Sequence, residues 1–305
     1  MAAAISVVIN VLGRHDVLAR VLDGLQRQRD APDLDVLVAP DAAEPDREGV
    51  AAAVAGRARI VEARRAGASA ARNAGWRAAS APLVLFLGAD ILPAPRLVAE
   101  HLAWHAQHPQ ETVAVLGDVR WARGLRVTPF MRWLDRGWQF DYRAISGIDA
   151  GWGRFYTANV SVKRRLLERV GGFDEEAFPF HYEDLDIARR MADHGLRLLY
   201  NRAARGEHWH PRTLEDWRNR TADVAAAERR FVARWPDIKP FYRDTFARAL
   251  AAPPARGRGV ALARFVPRWV PVLGPRVDAS FDMYFRQAIA PAYLAAWEAA
   301  AREDE

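Results

Sequence analysis

The sequence predicts an α/β protein with a mixed, mostly parallel sheet and a C-terminal helical extension. In the first half, short β-branched runs alternate with segments whose apolar residues recur at helical spacing, a pattern typical of βαβ units. After Pro236 the chain becomes a tail whose apolar residues are separated by prolines. We therefore expect a sheet-based domain over residues 1–240 and the extension over residues 241–305.

The elements follow from hydrophobic period and from cap and turn residues. The predicted strands cover residues 5–9, 34–39, 59–63, 83–87, 113–116, 156–162 and 196–200. The predicted helices begin behind Asp16, cover residues 70–79 with Ser69 as N-cap, 96–107, 164–170 and 213–235, and open within 181–186. Residues 206–211 are predicted to form a loop.

Composition restricts the class of protein. The 305 residues are 50% apolar and 27% charged, which excludes collagen-like, disordered and low-complexity chains. No apolar run is long enough to cross a bilayer, and the N-terminus lacks the basic segment of a signal peptide. We therefore expect a cytoplasmic protein. The chain has no cysteine, which excludes thiol nucleophiles and cysteine-ligated metals.

The net charge of +6 comes almost entirely from arginine, since Lys163 and Lys239 are the only lysines. The arginines alternate with acidic residues instead of forming a stripe with aromatics, so we expect no nucleic-acid partner. Residues 259–273 differ, because they mix Arg, Trp and aliphatic residues around prolines. This segment either lies on an anionic bilayer surface or packs on the sheet domain, and the sequence leaves both readings open.

Two carboxylates lie where a ligand of an open α/β sheet is expected. Asp41 and Asp90 each follow a predicted strand, and ligands collect at the carboxyl ends of such strands. Each residue is also a common turn former or helix cap. The sequence therefore offers two candidate ligand contacts, each with a structural alternative.

The second half holds two more polar groups. Glu183 and Asp184 open a helix, where carboxylates also serve simply as caps. His208 and His210 follow the last predicted strand. Carboxylates with imidazoles, and no thiolates, suit a divalent cation that holds phosphate oxygens, although a lone histidine is more often structural. Trp152, set between glycines, is a candidate platform for a sugar ring or part of a lid, although most aromatics of residues 118–155 are expected to be core.

Three stretches together resemble a known family. They are SVVINVLGRHDVLARVLDGL, RAGASAARNAGWRAASAPLVLFLGAD and TANVSVKRRLLERVGGFDEEAFPFHYEDLDIARRMADHGLRLLY. Their order and spacing, over about residues 4–210, are similar to the inverting family 2 glycosyltransferases with the A-type nucleotide-sugar-binding fold. The GGFDE turn before EDLD is also similar to the C-terminal half of galactosyltransferase-type domains.

The resemblance implies a role for each candidate residue. It assigns Asp41 to the nucleobase, Arg72 and Asn73 to the nucleoside and diphosphate, and Asp90 to a divalent metal, Mn²⁺ or Mg²⁺. It assigns Asp184 as catalytic base, with Glu183 positioning the acceptor. His208 completes the metal site. His210 is the alternative to His208 as metal ligand. With Trp152, it is also a candidate acceptor contact.

The chain departs from the family pattern at three places. The Asp-x-Asp after the fourth strand reads Gly88-Ala89-Asp90, so its first carboxylate is missing. The first strand ends in Asn10-Val11-Leu12-Gly13 instead of Pro-Thr-aromatic-Asn. Residues 40–43 read Pro-Asp-Ala-Ala instead of Asp-Asp-Gly-Ser. All three changes fall where the resemblance puts the nucleotide.

The resemblance implies inverting transfer of a sugar from a nucleotide-diphosphate sugar to an acceptor hydroxyl, on a polysaccharide or a lipid-linked glycan. A non-catalytic carbohydrate- or nucleotide-binding module that keeps the fold is the main alternative. A nucleotidyltransferase would need a glycine-rich loop after the first strand, which the single Gly13 does not supply. Peripheral contact of residues 259–273 with the inner face of the membrane is one of the two open interpretations, beside packing on the sheet domain.

Overall fold

The computed structural model describes residues 3–255 and 273–303. The chain forms two compact units. We call Met1–Leu125 with Phe140–His210 the sheet unit, and Arg126–Gln139 with Pro211–Glu305 the helical unit. The residue ranges 1–240 and 241–305 expected from the sequence stay a prediction.

The sheet unit alternates strands and helices along the chain. Its strands are β1 Ile5–Val11, β2 Asp35–Pro40, β3 Arg59–Ile60, β4 Leu83–Leu87, β5 Ile91–Pro93, β6 Val113–Trp121, β7 Asn159–Lys163 and β8 Arg197–His208. Its helices are α1 His15–Gln26, α2 Arg47–Val54, α3 Ala68–Ala78, α4 Leu97–Gln107, α6 Arg164–Val170 and α7 Glu183–Asp193. The predicted α/β class with a C-terminal helical extension is confirmed.

The described strands form one sheet in the order β3-β2-β1-β4-β7-β6-β8-β5. Strands β1 to β4 pair in parallel, which is the βαβ half of the sheet. Strand β7 runs antiparallel to both β4 and β6, and β5 runs antiparallel to β8. The carboxyl end of β4 therefore meets the start of β7, where Leu87 pairs with Asn159.

The core follows the predicted apolar pattern. The β1 and β4 side chains are almost completely buried, as expected for central parallel strands covered on both faces. On α1 the buried residues are Val17, Leu18, Val21, Leu22 and Leu25, which recur at helical spacing. Most buried apolar residues of the sheet unit thus form one large core between sheet and helices, and Ala39, Ala63 and Ala71 form a smaller one.

A buried polar network fastens α4 to the middle of the sheet. His101 Nδ1 and His105 Nε2 each lie 2.8 Å from Ser161 Oγ, and His101 Nε2 lies 2.9 Å from Asn159 Oδ1. Burial lowers the pKa of His101 to about 4 and that of His105 to about 2. Both imidazoles are therefore neutral at pH 7 and exchange hydrogen bonds with the β7 side chains.

The helical unit comprises α5 Pro129–Leu134, α8 Leu214–Asn219, α9 Thr221–Arg234, α10 Phe241–Ala251 and α11 Leu273–Glu303. Its centre is aromatic, with Trp138 stacked on Trp133 and on Phe246. The buried Glu228 accepts hydrogen bonds from Tyr242 N at 2.8 Å and from Tyr293 Oη at 2.6 Å. This carboxylate ties α9, α10 and α11 together.

Several predicted boundaries are wrong for local reasons. Helix α3 begins at Ala68, and Ser69 does not cap it but donates its hydroxyl to the Phe178 carbonyl. The predicted helix 213–235 is divided at Arg220. Strand β8 continues to His208, because residues Asp118–Trp121 pair with Arg205–His208 beyond a register shift. His208 is therefore the last residue of a strand and not part of a loop.

None of the helices within residues 3–255 and 273–303 combines the length and hydrophobicity of a membrane span. Most of the proposed bilayer-surface segment 259–273 lies outside the described residues. Its predicted membrane contact therefore stays a proposal.

Candidate active site

Sheet register brings Asp90 next to His208. Asp90 lies in the turn between β4 and β5, and the first β5 residue, Ile91, pairs with His208 at the end of β8. Trp209 N–H donates to the Asp90 carbonyl at 2.8 Å, which closes the turn against the end of β8. Residues that are 118 positions apart in the chain thus meet at one edge of the sheet.

Asp90, His208 and His210 form a cluster with metal-ligand character. One oxygen of Asp90, Oδ2, lies 3.2 Å from His208 Nε2 and 2.8 Å from His210 Nδ1. The three candidate ligand atoms lie within 4.8 Å of one another. Although burial alone raises the pKa of Asp90, its hydrogen bonds with the two histidines hold that pKa well below the usual range.

The donor set fits a divalent cation. Ligand atoms about 2.1 Å from a cation and at right angles around it are roughly 3 Å apart, which matches the separations in this cluster. Two imidazoles with one carboxylate suit Mn²⁺ or another first-row metal better than Mg²⁺, which prefers oxygen ligands. The structure groups His210 with the predicted metal ligands Asp90 and His208. From the sequence it was expected only as the alternative to His208 and as a candidate acceptor contact.

Neighbouring aromatic and cationic side chains hold the two histidines. The His208 ring stacks on Trp121 of β6, with centroids 4.9 Å apart and planes 12° apart. The Arg20 guanidinium lies 3.8 Å from the centre of the Trp209 ring. Arg14 donates to the Trp209 carbonyl. These contacts restrict the rotamers and main chain from which the ligands project.

Gly88 has a steric reason to replace the first carboxylate of the Asp-x-Asp motif. A Cβ atom at this position would lie 2.8 Å from Ile91 Cγ1 and 3.1 Å from Asp90 Oδ1. Any side chain here would displace Ile91 or press on the Asp90 carboxylate. Asp90 is therefore the carboxylate that this turn offers to a ligand.

The second acidic group lies at the start of α7. Glu183 Oε1 accepts a 2.8 Å hydrogen bond from Arg72 of α3, and Asp184 Oδ1 lies 3.8 Å from the same guanidinium nitrogen. The side chains of Arg72 and Glu183 are only 12% and 10% exposed. Arg72 Nε is buried and has no hydrogen-bond partner in the described part of the chain. The pair neutralises the charge of Glu183.

Asp184 is held by Thr157, a residue that the sequence interpretation missed. Thr157 N–H donates to Asp184 Oδ2 at 3.0 Å, and the Thr157 hydroxyl lies 2.8 Å from Oδ1 and 3.0 Å from Oδ2. Burial and the neighbouring Glu183 carboxylate raise the pKa of Asp184 to about 6, against the opposing effects of Arg72 and Thr157. Asp184 is therefore mostly ionised at pH 7 and more basic than an ordinary aspartate.

The two acidic groups are connected through the sheet edge. Gly88 N–H, in the turn that carries Asp90, donates to the Ala158 carbonyl at 3.1 Å. Ala158 directly follows Thr157, which holds Asp184. The segments that support the two carboxylates are therefore hydrogen-bonded neighbours.

Asp41 lies buried at the end of β2. Its carboxylate accepts main-chain hydrogen bonds from Ala43 and Gly67, both at 2.8 Å. It thus joins the loop after β2 to the start of α3. Glu44 joins that loop to the loop after β1, by accepting from Gly13 N–H. The oxygens of Asp41 keep further lone pairs for a ligand. Its contact with a nucleobase stays a prediction.

Asn73 is fully buried and its amide is occupied. Its nitrogen donates to the Phe173 carbonyl at 2.8 Å and to Glu175 Oε1 at 2.7 Å, while its oxygen accepts from Trp76 Nε1 and Phe173 N–H. This arrangement favours a structural role that holds the GGFDE turn against α3. The nucleotide contact expected for Asn73 stays a prediction.

Trp152 begins a 3-10 turn, Trp152–Arg154, that packs against α7. Its side chain is partly buried against the core. It therefore lies beside the helix that carries Glu183 and Asp184. Its contact with an acceptor stays a prediction.

Comparison with known proteins identifies the family. Residues 2–227 match the model of glycosyltransferase like family 2. Validoxylamine A glucosyltransferase of Streptomyces hygroscopicus subsp. limoneus is 31% identical over 275 residues, which cover 77% of this chain and 58% of the relative. Pre-mycofactocin glycosyltransferase of Mycobacterium tuberculosis is 28% identical over 181 residues, covering 56% of this chain and 36% of the relative. This chain thus spans little more than half of the first relative's length.

Solved structures show the fold. The mannosyltransferase PcManGT from Pyrobaculum calidifontis, in complex with GDP-Man and Mn²⁺, matches with a TM-score of 0.56 and 20% identity over 99% of this chain and 76% of that one. S. aureus TarS 1–349 in complex with UDP matches with a TM-score of 0.51 and 15% identity, over 99% and 92%. The predicted A-type fold and family are confirmed: the chain belongs to glycosyltransferase like family 2.

Proposed function

We propose that this chain transfers a sugar from a nucleotide-diphosphate sugar to an acceptor hydroxyl with inversion at the anomeric carbon. One observation carries the proposal: Asp90 and Asp184 have pKa values shifted in opposite directions, and the segments that support them are hydrogen-bonded neighbours. Asp184 suits proton removal and the Asp90 cluster suits cation binding. The names of the relatives support the same reaction class.

Asp184 acts as the general base. Direct displacement requires that the acceptor hydroxyl lose its proton as it attacks, and a carboxylate with a pKa of about 6 accepts that proton better than one near 3.8. Help of this kind typically accelerates a reaction by about 10²- to 10⁴-fold. Glu183, held by Arg72, lies next to the base and orients the acceptor.

Asp90, His208 and His210 hold a divalent cation in this proposal, with Mn²⁺ favoured by the imidazole donors. When bound, the cation neutralises the charge that grows on the departing diphosphate. Arg72, through its positive charge, contributes to the same end. Asp41 is the proposed nucleobase contact, and the GDP-Man and UDP complexes of the structural neighbours support a nucleotide donor.

The acceptor is proposed by class only. The acceptor class expected from the sequence is a polysaccharide or lipid-linked glycan. The names of the relatives give validoxylamine A and pre-mycofactocin instead. Trp152, on the turn against α7, is the proposed platform for an acceptor ring. Contact with the inner face of the membrane through residues 259–273 remains a proposal.

A panel of nucleotide sugars with Mn²⁺ tests the function. Wild-type protein should release nucleoside diphosphate and, with an accepted hydroxyl, form a product of inverted anomeric configuration by NMR. Asp184→Asn should lose at least about 100-fold in turnover. Asp193→Asn, on the same helix but 54% exposed, is the matched control and should keep full turnover. Full turnover in Asp184→Asn, or a product of retained configuration, would overturn the mechanism.

A further inference from the structure

Thr157 occupies a position that the sheet fixes. It is 3% exposed and lies two residues before Asn159, which begins β7 and pairs with Leu87 of β4. The next residue, Ala158, accepts a hydrogen bond from Gly88 N–H. The main chain around Thr157 is therefore anchored to the sheet edge independently of α7.

Both donors of Thr157 point to the same carboxylate. The main-chain N–H reaches Asp184 Oδ2, and the hydroxyl reaches Oδ1 at 2.8 Å and Oδ2 at 3.0 Å. An ionised carboxylate accepts from both donors, whereas a protonated carboxyl turns one of its oxygens into a donor and loses acceptor capacity. The contacts therefore favour the charged form and restrict rotation of the Asp184 side chain.

We call the N–H and hydroxyl contacts of Thr157 with Asp184 the clamp. The charged groups around Asp184 do not replace it. From α3, Arg72 lies 3.8 Å away and is already hydrogen-bonded to Glu183. From α7 itself, Glu183 opposes the charged form. From the segment before β7, Tyr156 has a pKa of about 12 and stays neutral at working pH, while its hydroxyl accepts from Asp141 N–H. Thr157 thus supplies the uncharged donors that directly hold both oxygens.

We propose that Thr157 is a positioning residue for the general base, whose hydroxyl and N–H hold the Asp184 carboxylate ionised and in one orientation. This inference rests on the proposed role of Asp184 in glycosyl transfer. The β-branched side chain suits the task, because a second substituent on Cβ restricts χ1 and keeps the hydroxyl directed at Asp184. Serine would keep the donor but lose part of this restriction.

The test compares pH profiles of wild type, Thr157→Val and Thr157→Ser in the full chain with Mn²⁺ and an accepted nucleotide sugar. Hydrogen bonds to charged groups contribute about 1.5–3 kcal/mol, so loss of the hydroxyl should move the acid limb of kcat upward by about 1–2 pH units. Turnover of Thr157→Val should recover to within about fivefold of wild type at pH 9, where Asp184 is ionised in both proteins. Thr157→Ser should keep the limb within about 0.3 units of wild type.

A second measurement is independent of turnover. Carbon NMR of the labelled aspartate side chains, assigned with Asp184→Asn, should show the same upward shift of the Asp184 midpoint in Thr157→Val. Thr157→Ala provides a second variant without the hydroxyl if the valine variant does not fold. Thr221→Val is the matched control, because the Thr221 hydroxyl bonds the Arg218 carbonyl instead of a carboxylate, and it should leave the limb unmoved.

The outcomes separate the two proposals. An unmoved Asp184 midpoint in folded Thr157→Val or Thr157→Ala overturns the inference, even if Asp184→Asn abolishes turnover and the proposed function stands. An upward NMR midpoint without glycosyl transfer by any nucleotide sugar supports the clamp and overturns the function. A uniform loss of turnover at every pH, with an unmoved limb, marks Thr157 as merely structural and also overturns the inference.

Discussion

Asp90 and Asp184 are the same residue type on neighbouring segments of one sheet edge, yet their environments drive their pKa values in opposite directions. Burial raises the pKa of both carboxyls. At Asp90 two histidines outweigh burial, whereas at Asp184 a second carboxylate adds to it, and Arg72 and Thr157 offset only part of the effect. Neighbours rather than residue type thus make one aspartate a constant anion and the other a proton acceptor.

The largest expected effect comes from removing Arg72, the cationic side chain beside Glu183 and Asp184. Arg72→Ala would leave Glu183 buried beside Asp184 without its positive partner. Losing one member of a buried ion pair typically costs about 3–5 kcal/mol, so urea unfolding at pH 7 should show a loss of that order. The pKa of Asp184 should also rise, because Arg72 lowers it.

Arg77→Ala is the control for that experiment. Arg77 pairs with Glu175 at 3.1 Å, but its side chain is 52% exposed. Exposed pairs contribute about 0–1 kcal/mol. Equal losses in Arg72→Ala and Arg77→Ala would show that the α3–α7 pair does not depend on burial.

A second prediction separates the two carboxylates by ligand. Asp90→Asn should weaken Mn²⁺ binding by more than about 100-fold, since loss of a direct ligand exceeds the effect of losing an outer-sphere partner. Asp184→Asn should leave Mn²⁺ affinity unchanged. Calorimetric titration of both variants measures this directly. Weaker Mn²⁺ binding in Asp184→Asn would mean that the two groups form one site instead of two.

Much of this comparison could be predicted from the sequence, and the rest could not. Strand ends and the family resemblance were enough to propose Asp90, Asp184 and His208. The partner of Arg72 lies 111 positions away and no local pattern indicates it. Thr157 was hidden inside a strand predicted to begin at Tyr156, although β7 begins at Asn159. The end of β8 is polar and lacks apolar alternation, so no sequence pattern indicated its pairing with β6 beyond the register shift.

A third prediction concerns stability instead of turnover. Folding raises the pKa of Asp184 from 3.8 to about 6, so the protonated form stabilises the folded protein. This contribution to the free energy of unfolding is fully present below about pH 4 and is lost as the pH rises through 6. At pH 7 the ionised group costs up to roughly 3 kcal/mol at 1.36 kcal/mol per unit, less after discounting its 27% exposed side chain. Asp184→Asn should therefore raise the free energy of unfolding by about 1–2 kcal/mol at pH 7.

That gain should disappear as the pH falls to 4, where wild-type Asp184 is itself protonated. Urea unfolding at pH 4, 6 and 8 gives the required series, and Asp193→Asn on the same helix provides the control. A gain that does not depend on pH would show that it arises from packing, and the comparison with Asp90 would then lose its electrostatic basis.

The smallest expected effect concerns the support of the Asp90 cluster. Trp121 touches the His208 ring face to face and is not itself a candidate ligand. Stacked aromatic pairs contribute about 0.5–1.5 kcal/mol, so Trp121→Leu should weaken Mn²⁺ binding by about two- to tenfold, whereas Trp121→Phe should lose less. Thr157 holds Asp184 by hydrogen bonds, and Trp121 holds His208 by ring contact. Unchanged Mn²⁺ affinity in Trp121→Leu would mean that pairing of β8 with β5 and β6 alone positions His208, since that pairing is made by main-chain hydrogen bonds.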